Sequence, residues 1–319
     1  MFARIIAAAF AACFASTAPA QSYPSRPVRL VVPYPPGGGT DIIGRVVAQK
    51  IGDALGQQVV VDNRGGAGGV IGTEIVAHAA PDGYTLLMAP TSHVINPSIY
   101  SKLSYDTEKD FAPITLAASA TIVLAAHPSV AAKTLKELIA LARAKPGELT
   151  FGSAGNGTVF HLAGELFKRQ AGIQMTHVPF KGGGPTVAAL AGGQISAAFE
   201  TMLALSPHIK AGRARALAIT SARRSSVMPD VPTTVELGFP GIVAENWYGF
   251  YAPRGTPKAI VARVNAEILK ALKQPEVKER FQGLGTEVIG TSPEQLGEFV
   301  HKELAKWSRT AKEAGAHVE

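Results

Sequence analysis

The chain has 319 residues, of which 46% are hydrophobic and 17% are charged, and a formal net charge of +7 at pH 7. This length exceeds what one hydrophobic core usually organises, so we expect two domains. Lysine and arginine are scattered along the chain, whereas nucleic-acid binding needs a clustered basic stripe with interleaved aromatic residues. The charge therefore supports a modest attraction for small anions and no nucleic-acid partner.

The beginning of the chain has the pattern of a secretory signal peptide. Arg4 precedes an apolar stretch at residues 5–14, and Ala18-Pro19-Ala20 forms a cleavage site before Gln21. The stretch is too short to span a membrane, and no later apolar run is long enough, so we expect an exported, soluble protein. Lipidation at Cys13 is the alternative. Since Cys13 is the single cysteine, we expect no disulfide and no thiol chemistry after export.

Short runs rich in valine, isoleucine and leucine alternate with segments of helical periodicity. This alternation is typical of an α/β fold with largely parallel sheets. The candidate strands lie at residues 30–32, 59–61, 85–88, 122–125, 150–151, 176–178, 195–199, 216–220 and 248–251.

Several helices between these strands have recognisable ends. The first helix has one apolar face and is predicted to end at Gly56, because glycine accepts the left-handed conformation found there. Thr134 and Glu137 have the spacing of a capping box, in which the two residues satisfy free N–H groups at a helix start. Ser292 and Gln295 have the same spacing, and they predict the start of the last helix.

Two glycine-rich loops each follow a predicted strand and precede a helix. The loops are Tyr34-Pro35-Pro36-Gly37-Gly38-Gly39-Thr40-Asp41 and Gly152-Ser153-Ala154-Gly155-Asn156-Gly157-Thr158. Free N–H groups at a helix N-terminus attract a negative group, and glycine has no Cβ to block its approach. The two loops are therefore predicted to hold one anionic group between them. In the simpler interpretation the first loop is only a turn, with Thr40 capping the helix and Asp41 opposing its dipole.

A series of short motifs runs through nearly the whole chain after residue 20. The motifs occupy residues 23–41, 61–69, 81–86, 152–158, 178–182, 207–212, 229–233 and 247–249. In this order they resemble the motifs of the tripartite tricarboxylate transporter substrate-binding proteins, also called Bug proteins. The resemblance implies a two-lobed α/β periplasmic binding protein of type II, with two largely parallel sheets flanked by helices.

The resemblance also implies a function without chemistry. In that family the two glycine loops, one from each lobe, hold a ligand carboxylate largely through backbone amides. The expected ligand is a small organic acid, whether a dicarboxylate, a tricarboxylate, an aromatic acid or an amino acid. We expect no cofactor, a periplasmic monomer, and the permease subunits of a tripartite tricarboxylate transporter as membrane partners.

The expected domain boundaries lie near two segments that cross between the lobes, close to Ile122 and Trp247. They assign residues 1–20 to the signal peptide, residues 21–122 and 247–319 to the first lobe, and residues 123–246 to the second. Trp247 itself either stacks on a cyclic ligand or packs at the hinge.

Ligand specificity is expected from side chains deeper in the cleft. Ser92 and His93 follow a predicted strand and should lie at its carboxyl end, where ligands bind in open α/β sheets. His93 is equally suited to bonding a neighbouring loop. Phe180 either forms a wall of the pocket or belongs to a buried turn. Glu200 and Thr201 complete the set, and Glu200 stands where relatives frequently carry an aspartate.

The sequence also contains features that suggest an enzyme instead of a binding protein, but each lacks the expected motif. A secreted hydrolase would use Ser153 or Ser92 as nucleophile with His161 as base, but the chain has no G-x-S-x-G elbow around Ser153. The glycines of residues 66–72 do not have the spacing of a dinucleotide-binding motif. The eight histidines lack H-x-x-x-H and H-E-x-x-H spacing, so we expect no metal site.

Overall fold

The computed structural model describes residues 23–316. The predicted signal peptide and Cys13 lie outside these residues. Within them, strands and helices alternate as the sequence predicts, and the α/β class is confirmed. Among the described helices, none is both long and apolar enough to cross a membrane.

Ten strands and ten α-helices organise the described residues. The strands are β1 (Val28–Val32), β2 (Val59–Asn63), β3 (Thr85–Pro90), β4 (Phe111–Ala126), β5 (Thr150–Ser153), β6 (Thr176–Pro179), β7 (Ala197–Thr201), β8 (Arg215–Ile219), β9 (Glu245–Pro253) and β10 (Thr286–Val288). The helices are α1 (Gly39–Leu55), α2 (Val70–Ala77), α3 (Ser92–Ile99), α4 (Leu135–Ala144), α5 (Val159–Ala171), α6 (Gly183–Ala191), α7 (Met202–Lys210), α8 (Lys258–Lys273), α9 (Pro275–Gln282) and α10 (Pro293–Ala314).

The strands form one mixed sheet in the order β2-β1-β3-β9-β4-β7-β5-β6, and β8 and β10 also pair with β4. At one end β1 pairs with β2 and β3 in parallel, and at the other end β5 pairs with β6 and β7 in parallel. The strands between them, β4 and β9, are antiparallel to their neighbours. The two predicted groups of parallel strands are therefore present, but the antiparallel strands β4 and β9 join them into one mixed sheet instead of two separate sheets.

Strand β4 is much longer than its sequence pattern indicates. Up to Thr121 it pairs with β9, and from Ile122 onwards it pairs with β7. The sequence pattern predicts only residues 122–125 of this strand and does not predict β10. Residues 111–121 are rich in alanine, serine and threonine and are buried almost throughout, so they show no alternation of apolar and polar residues. A strand that is covered on both faces lacks that signal.

Apolar residues cover both faces of the sheet. On one face Ile43 and Ile51 of α1 pack with Val264 and Ile268 of α8 in a single buried cluster. A larger cluster joins α3, α5 and α10, and a third lies beneath α6 and α7. These helices fix the sheet from both sides, so each strand end that leads to a helix is held in place.

The predicted helix ends agree with the structure with one difference. Gly56 has a φ of 67° beyond the end of α1, and Ser292 forms both bonds of a capping box with Gln295. At α4, Thr134 accepts a bond from the Glu137 N–H, but the Glu137 carboxylate accepts from the N–H of Lys133. Only one half of that capping box is therefore formed.

One carboxylate ties the crossing strand β9 to the last helix. Glu303 of α10 accepts the indole N–H of Trp247 at 3.0 Å and that of Trp307 at 2.7 Å. Trp247 also packs edge-on against Phe299. All three bonded side chains are buried. Trp247 thus has the packing role that the sequence left open.

Replacing Glu303 with alanine should destabilise the protein by about 2–4 kcal/mol, because two buried indole N–H groups lose their acceptor. Glu303→Gln keeps an acceptor oxygen at the same place and should cost clearly less. Urea unfolding followed by tryptophan fluorescence measures both. Equal losses for the two variants would contradict the hydrogen-bonding role.

Candidate functional site

A small cavity lies where the parallel strands end, and residues from both parts of the sheet enclose it. Its volume is about 20 Å³, which is room for about one water molecule. The elements around it are strand ends, helix starts and one residue of β9. The residues that the sequence analysis selected lie partly in this cavity and partly behind it.

Four helices begin at the cavity. Its lining includes Gly39 and Thr40 of α1, Ser92 of α3, Phe160 of α5 and Gly183 of α6. These residues lie in the first turns of their helices, where backbone N–H groups have no carbonyl partner within the helix. The summed peptide dipoles add positive partial charge at each start. The cavity is therefore suited to a negative group.

The first glycine loop lies across one side of the cavity. Gly38 also lines it, as does Tyr34, whose hydroxyl donates to the Gly68 carbonyl at 2.7 Å and lies 2.8 Å from Ser92 Oγ. Pro36 and Gly37 are exposed and lie outside the lining.

Asp41 faces away from the cavity and holds the first loop in shape. Its carboxylate accepts the Gly37 N–H at 3.1 Å and pairs with Arg45 at 2.9 Å. The Asn63 amide donates to the same carboxylate and to the Tyr34 carbonyl. These bonds tie the first loop to α1 and to the end of β2.

The second glycine loop contributes Ala154 and Thr158 to the lining. Thr158 caps α5, because its hydroxyl accepts the His161 N–H at 3.3 Å and donates to the Gly155 carbonyl at 2.7 Å. Ser153 is fully buried and its hydroxyl contacts His177 Nε2 at 2.7 Å. The remaining residues of this predicted loop, Gly155, Asn156 and Gly157, lie outside the cavity lining.

Of the residues predicted to determine ligand specificity, some line the cavity and others lie behind it. Ser92 and Glu200 line the cavity, whereas His93, Phe180 and Thr201 do not. Phe180 donates its backbone N–H to the Ser153 carbonyl at 3.0 Å, behind the second loop. Thr201 caps α7 and also bonds to Glu200.

His93 lies in an aromatic cluster with Tyr105, Phe111 and Tyr251. Burial lowers the pKa of its imidazole to about 3, so the ring is neutral at physiological pH. Neither ring nitrogen has a hydrogen-bond partner among residues 23–316. The side chain stands one residue beyond Ser92 on α3, where the helix has turned it away from the cavity.

The structure adds residues that sequence reasoning did not select. They are Pro90, Val159, Phe160, Gly183 and Asn246. Gly183 had a visible signal, since it belongs to a third glycine run that opens a helix. Asn246 had none, because it reaches the cavity on the antiparallel strand β9 from far along the chain.

The first and third glycine runs touch each other across the cavity. A Cβ atom added to Gly38 would lie 3.3 Å from Gly183 Cα, and one added to Gly37 would lie 3.7 Å from Gly184 Cα. Only residues without side chains allow the two backbones to approach this closely. This contact closes one wall of the cavity.

Glu200 is the single acidic residue of the lining, which contains no lysine, arginine or histidine. Its Oε1 accepts the Thr201 N–H at 2.8 Å and the Thr201 hydroxyl at 3.1 Å. Its Oε2 has no partner among the described residues. Burial raises the pKa of this carboxyl to about 7, although the bonds from Thr201 favour the ionised form.

Of the residues considered for enzymatic or metal chemistry, Ser92 lines the cavity, whereas Ser153, His161, Glu165 and His177 lie outside its lining. Ser153 contacts His177, and the predicted base His161 stacks on His177 with ring centroids 4.4 Å apart. Potential ligand atoms of His161, Glu165 and His177 lie within 4.8 Å of one another. However, Lys168 already pairs with Glu165 at 2.8 Å, so a metal ion would have to displace this lysine.

Comparisons with known proteins give consistent results. The family model described as tripartite tricarboxylate transporter family receptor matches residues 43–316. Protein BugT of Bordetella pertussis is 40% identical over 302 residues, which cover 94% of this chain and 93% of BugT. The solved periplasmic binding protein BugD has a TM-score of 0.90 at 34% identity, covering 93% of this chain and 100% of BugD. An R. palustris protein solved with adipate has a TM-score of 0.90 at 35% identity, with the same coverages.

The stability of the ligand-free protein should depend on the charge of Glu200. Burial raises the folded pKa of this carboxyl from 4.5 to about 7, so its neutral form contributes stability that is complete below pH 4.5 and is lost as pH rises through 7. Glu200→Gln stays neutral. Relative to wild type, the variant should therefore gain up to about 3 kcal/mol between pH 5 and pH 8. Denaturant unfolding at both pH values measures this, and a pH-independent difference would contradict it.

Proposed function

The chain belongs to the tripartite tricarboxylate transporter receptor family, and we propose that it binds a small carboxylate-bearing organic acid in this cavity. The single observation that carries the proposal is the convergence of four helix N-termini on a cavity lined without basic side chains. Such an arrangement favours an anion that accepts hydrogen bonds from backbone N–H groups. The adipate bound to the R. palustris relative has this chemistry.

One carboxylate would be held from both sides of the cavity. The donors that we propose are the N–H groups of Gly39 and Thr40 on one side and those of Val159, Phe160 and Gly183 on the other. A hydrogen bond to a charged acceptor contributes about 1.5–3 kcal/mol, and micromolar affinity needs about 8 kcal/mol. Four or five such bonds therefore suffice before the cost of closing the protein around the ligand.

Ligand entry would require the two sides of the cavity to separate, since 20 Å³ is too small for an organic acid. We propose residues 21–122 and 247–319 as one lobe and residues 123–246 as the other. Two features support these boundaries. Strand β4 changes its pairing partner between Thr121 and Ile122, and β9 begins at Glu245. Closure would then be a hinge motion at the two crossing strands.

The cellular setting follows from the same family. Homologous structures are described as a periplasmic transporter and a periplasmic binding protein. We propose that residues 1–20 direct export to the periplasm, and that a monomer delivers the acid to permease subunits of a tripartite tricarboxylate transporter. We further propose that the bound acid is released unchanged, with no enzymatic step.

Gly38→Val should weaken binding by up to about 100-fold, because its methyl groups would meet the backbone of Gly183 and prevent closure. The fold should persist, since Gly38 has extended backbone angles that valine accepts. Gly297→Val is the matched control, because an added Cβ there lies 3.8 Å from Pro113 and far from the cavity. Calorimetric titration and thermal unfolding compare the three proteins. Wild-type affinity in Gly38→Val would refute the site.

The charge of the ligand can be tested directly. The small molecule that copurifies with the exported protein is released by mild denaturation and identified by mass spectrometry. The refolded protein should bind that acid, and its primary amide should bind at least about 10-fold more weakly, because a neutral acceptor forms weaker bonds with the helix N-termini. An amide that binds as tightly as the acid would contradict carboxylate recognition.

A further inference from the structure

Glu200 presents an unused hydrogen-bonding atom to the cavity. Its side chain is 1% exposed, and among residues 23–316 only Oε1 of its two oxygens has a hydrogen-bond partner. A buried polar atom without a partner costs free energy, so such an atom at a binding site indicates what the ligand must supply.

The position of Oε2 is set by the start of α6. A Cβ atom added to Gly183 would lie 2.6 Å from Glu200 Oε2, so the carboxylate is packed directly over this glycine. The Thr201 bonds hold the other oxygen and prevent the group from rotating away. Oε2 is therefore held in place at the cavity.

In the part of the chain that the structure describes, no cationic side chain pairs with the Glu200 carboxylate. The titratable groups that face it are the phenols of Tyr34 and Tyr248, on the first glycine loop and on β9. Burial raises the pKa of both phenols, so both are neutral. Partial compensation comes only from helix starts, at α6 beside Gly183 and at α7 through the Thr201 N–H. A second carboxylate on the ligand would be repelled here, whereas an ammonium group would be attracted.

We propose that the ligand carries an ammonium group as well as a carboxylate, and that Glu200 Oε2 accepts a hydrogen bond from the ammonium. The ligand class is then an amino acid or another amino-substituted carboxylic acid. This inference rests on the proposed function, because the same molecule must place its carboxylate at the helix N-termini. It adds the chemical group at the other end of the ligand and gives Glu200 a role in ligand specificity.

The test compares acids that differ only by an α-amino group. Calorimetric titrations at pH 8 use L-alanine with propanoate, L-phenylalanine with 3-phenylpropanoate, and L-glutamate with glutarate. Within the pair whose side chain fits the cavity, the amino acid should bind the wild-type protein at least 10-fold more tightly than the acid that lacks the amino group. The Glu200→Gln substitution should weaken binding of the amino acid at least 10-fold and strengthen binding of the acid that lacks the amino group. The preference for the amino acid is then lost. Glu298→Gln, an exposed site on α10, should retain the wild-type preference.

The pH dependence gives a second readout. Between pH 6 and pH 8 the Glu200 carboxyl becomes ionised, whereas the ammonium group of the ligand stays charged. The affinity of the wild-type protein for the amino acid should therefore rise over this interval, and its affinity for the acid without the amino group should fall. In Glu200→Gln both affinities should be insensitive to pH over this interval. Glu200→Asp withdraws the carboxylate by one methylene and should lose part of the preference. Thermal unfolding of each variant confirms that it is folded.

Two results would overturn the inference and separate it from the proposed function. Equal binding of both members of a pair, or tighter binding of the member without nitrogen, overturns the role of Glu200 but leaves carboxylate binding intact. Failure of every acid to bind, together with the absence of any copurifying acid, overturns the receptor function and this inference with it.

Discussion

The free backbone N–H groups at the starts of α1, α3, α5 and α6 are the constraint on which the rest of the site depends. They arise because each helix follows a strand through a short loop, and the first turn of a helix leaves its donors unpaired. Larger side chains would cover these donors. Small residues at the cavity, Gly39, Ala154 and Gly183, keep them accessible. The glycine loops therefore suit the proposed use of the backbone as the anion receptor.

The crossing strands determine how the two halves of this receptor meet. Strand β4 runs through both parts of the sheet, and its register shifts at several places along β8 and β9. Such irregularities let a paired strand bend. Glu303 of α10 adds a fixed link to β9 through the indole N–H of Trp247, and it also accepts the indole N–H of Trp307 within its own helix. The joint is thus continuous in hydrogen bonding, so the proposed hinge motion would bend these strands.

The balance of forces at Glu200 connects the fold to ligand selection. Bonds from Thr201 and the nearby helix starts favour an ionised carboxylate, but burial in a cavity without basic side chains outweighs them, and the pKa rises to about 7. The protein therefore holds an acidic group that a suitable cation would ionise.

The sequence by itself determined the features that depend on neighbouring residues: the α/β alternation, the end of α1 at Gly56, the cap at Ser292 and the glycine loops before α1 and α5. Capping and periodicity act over a few residues, so they are visible in one dimension. The tertiary structure alone decided which side chains reach the cavity. Ser92 does and His93 does not, because each residue turns a helix by about 100°. Asn246 and Gly183 reach it from distant segments, and the length of β4 was hidden because burial on both faces removes the alternation that marks a strand.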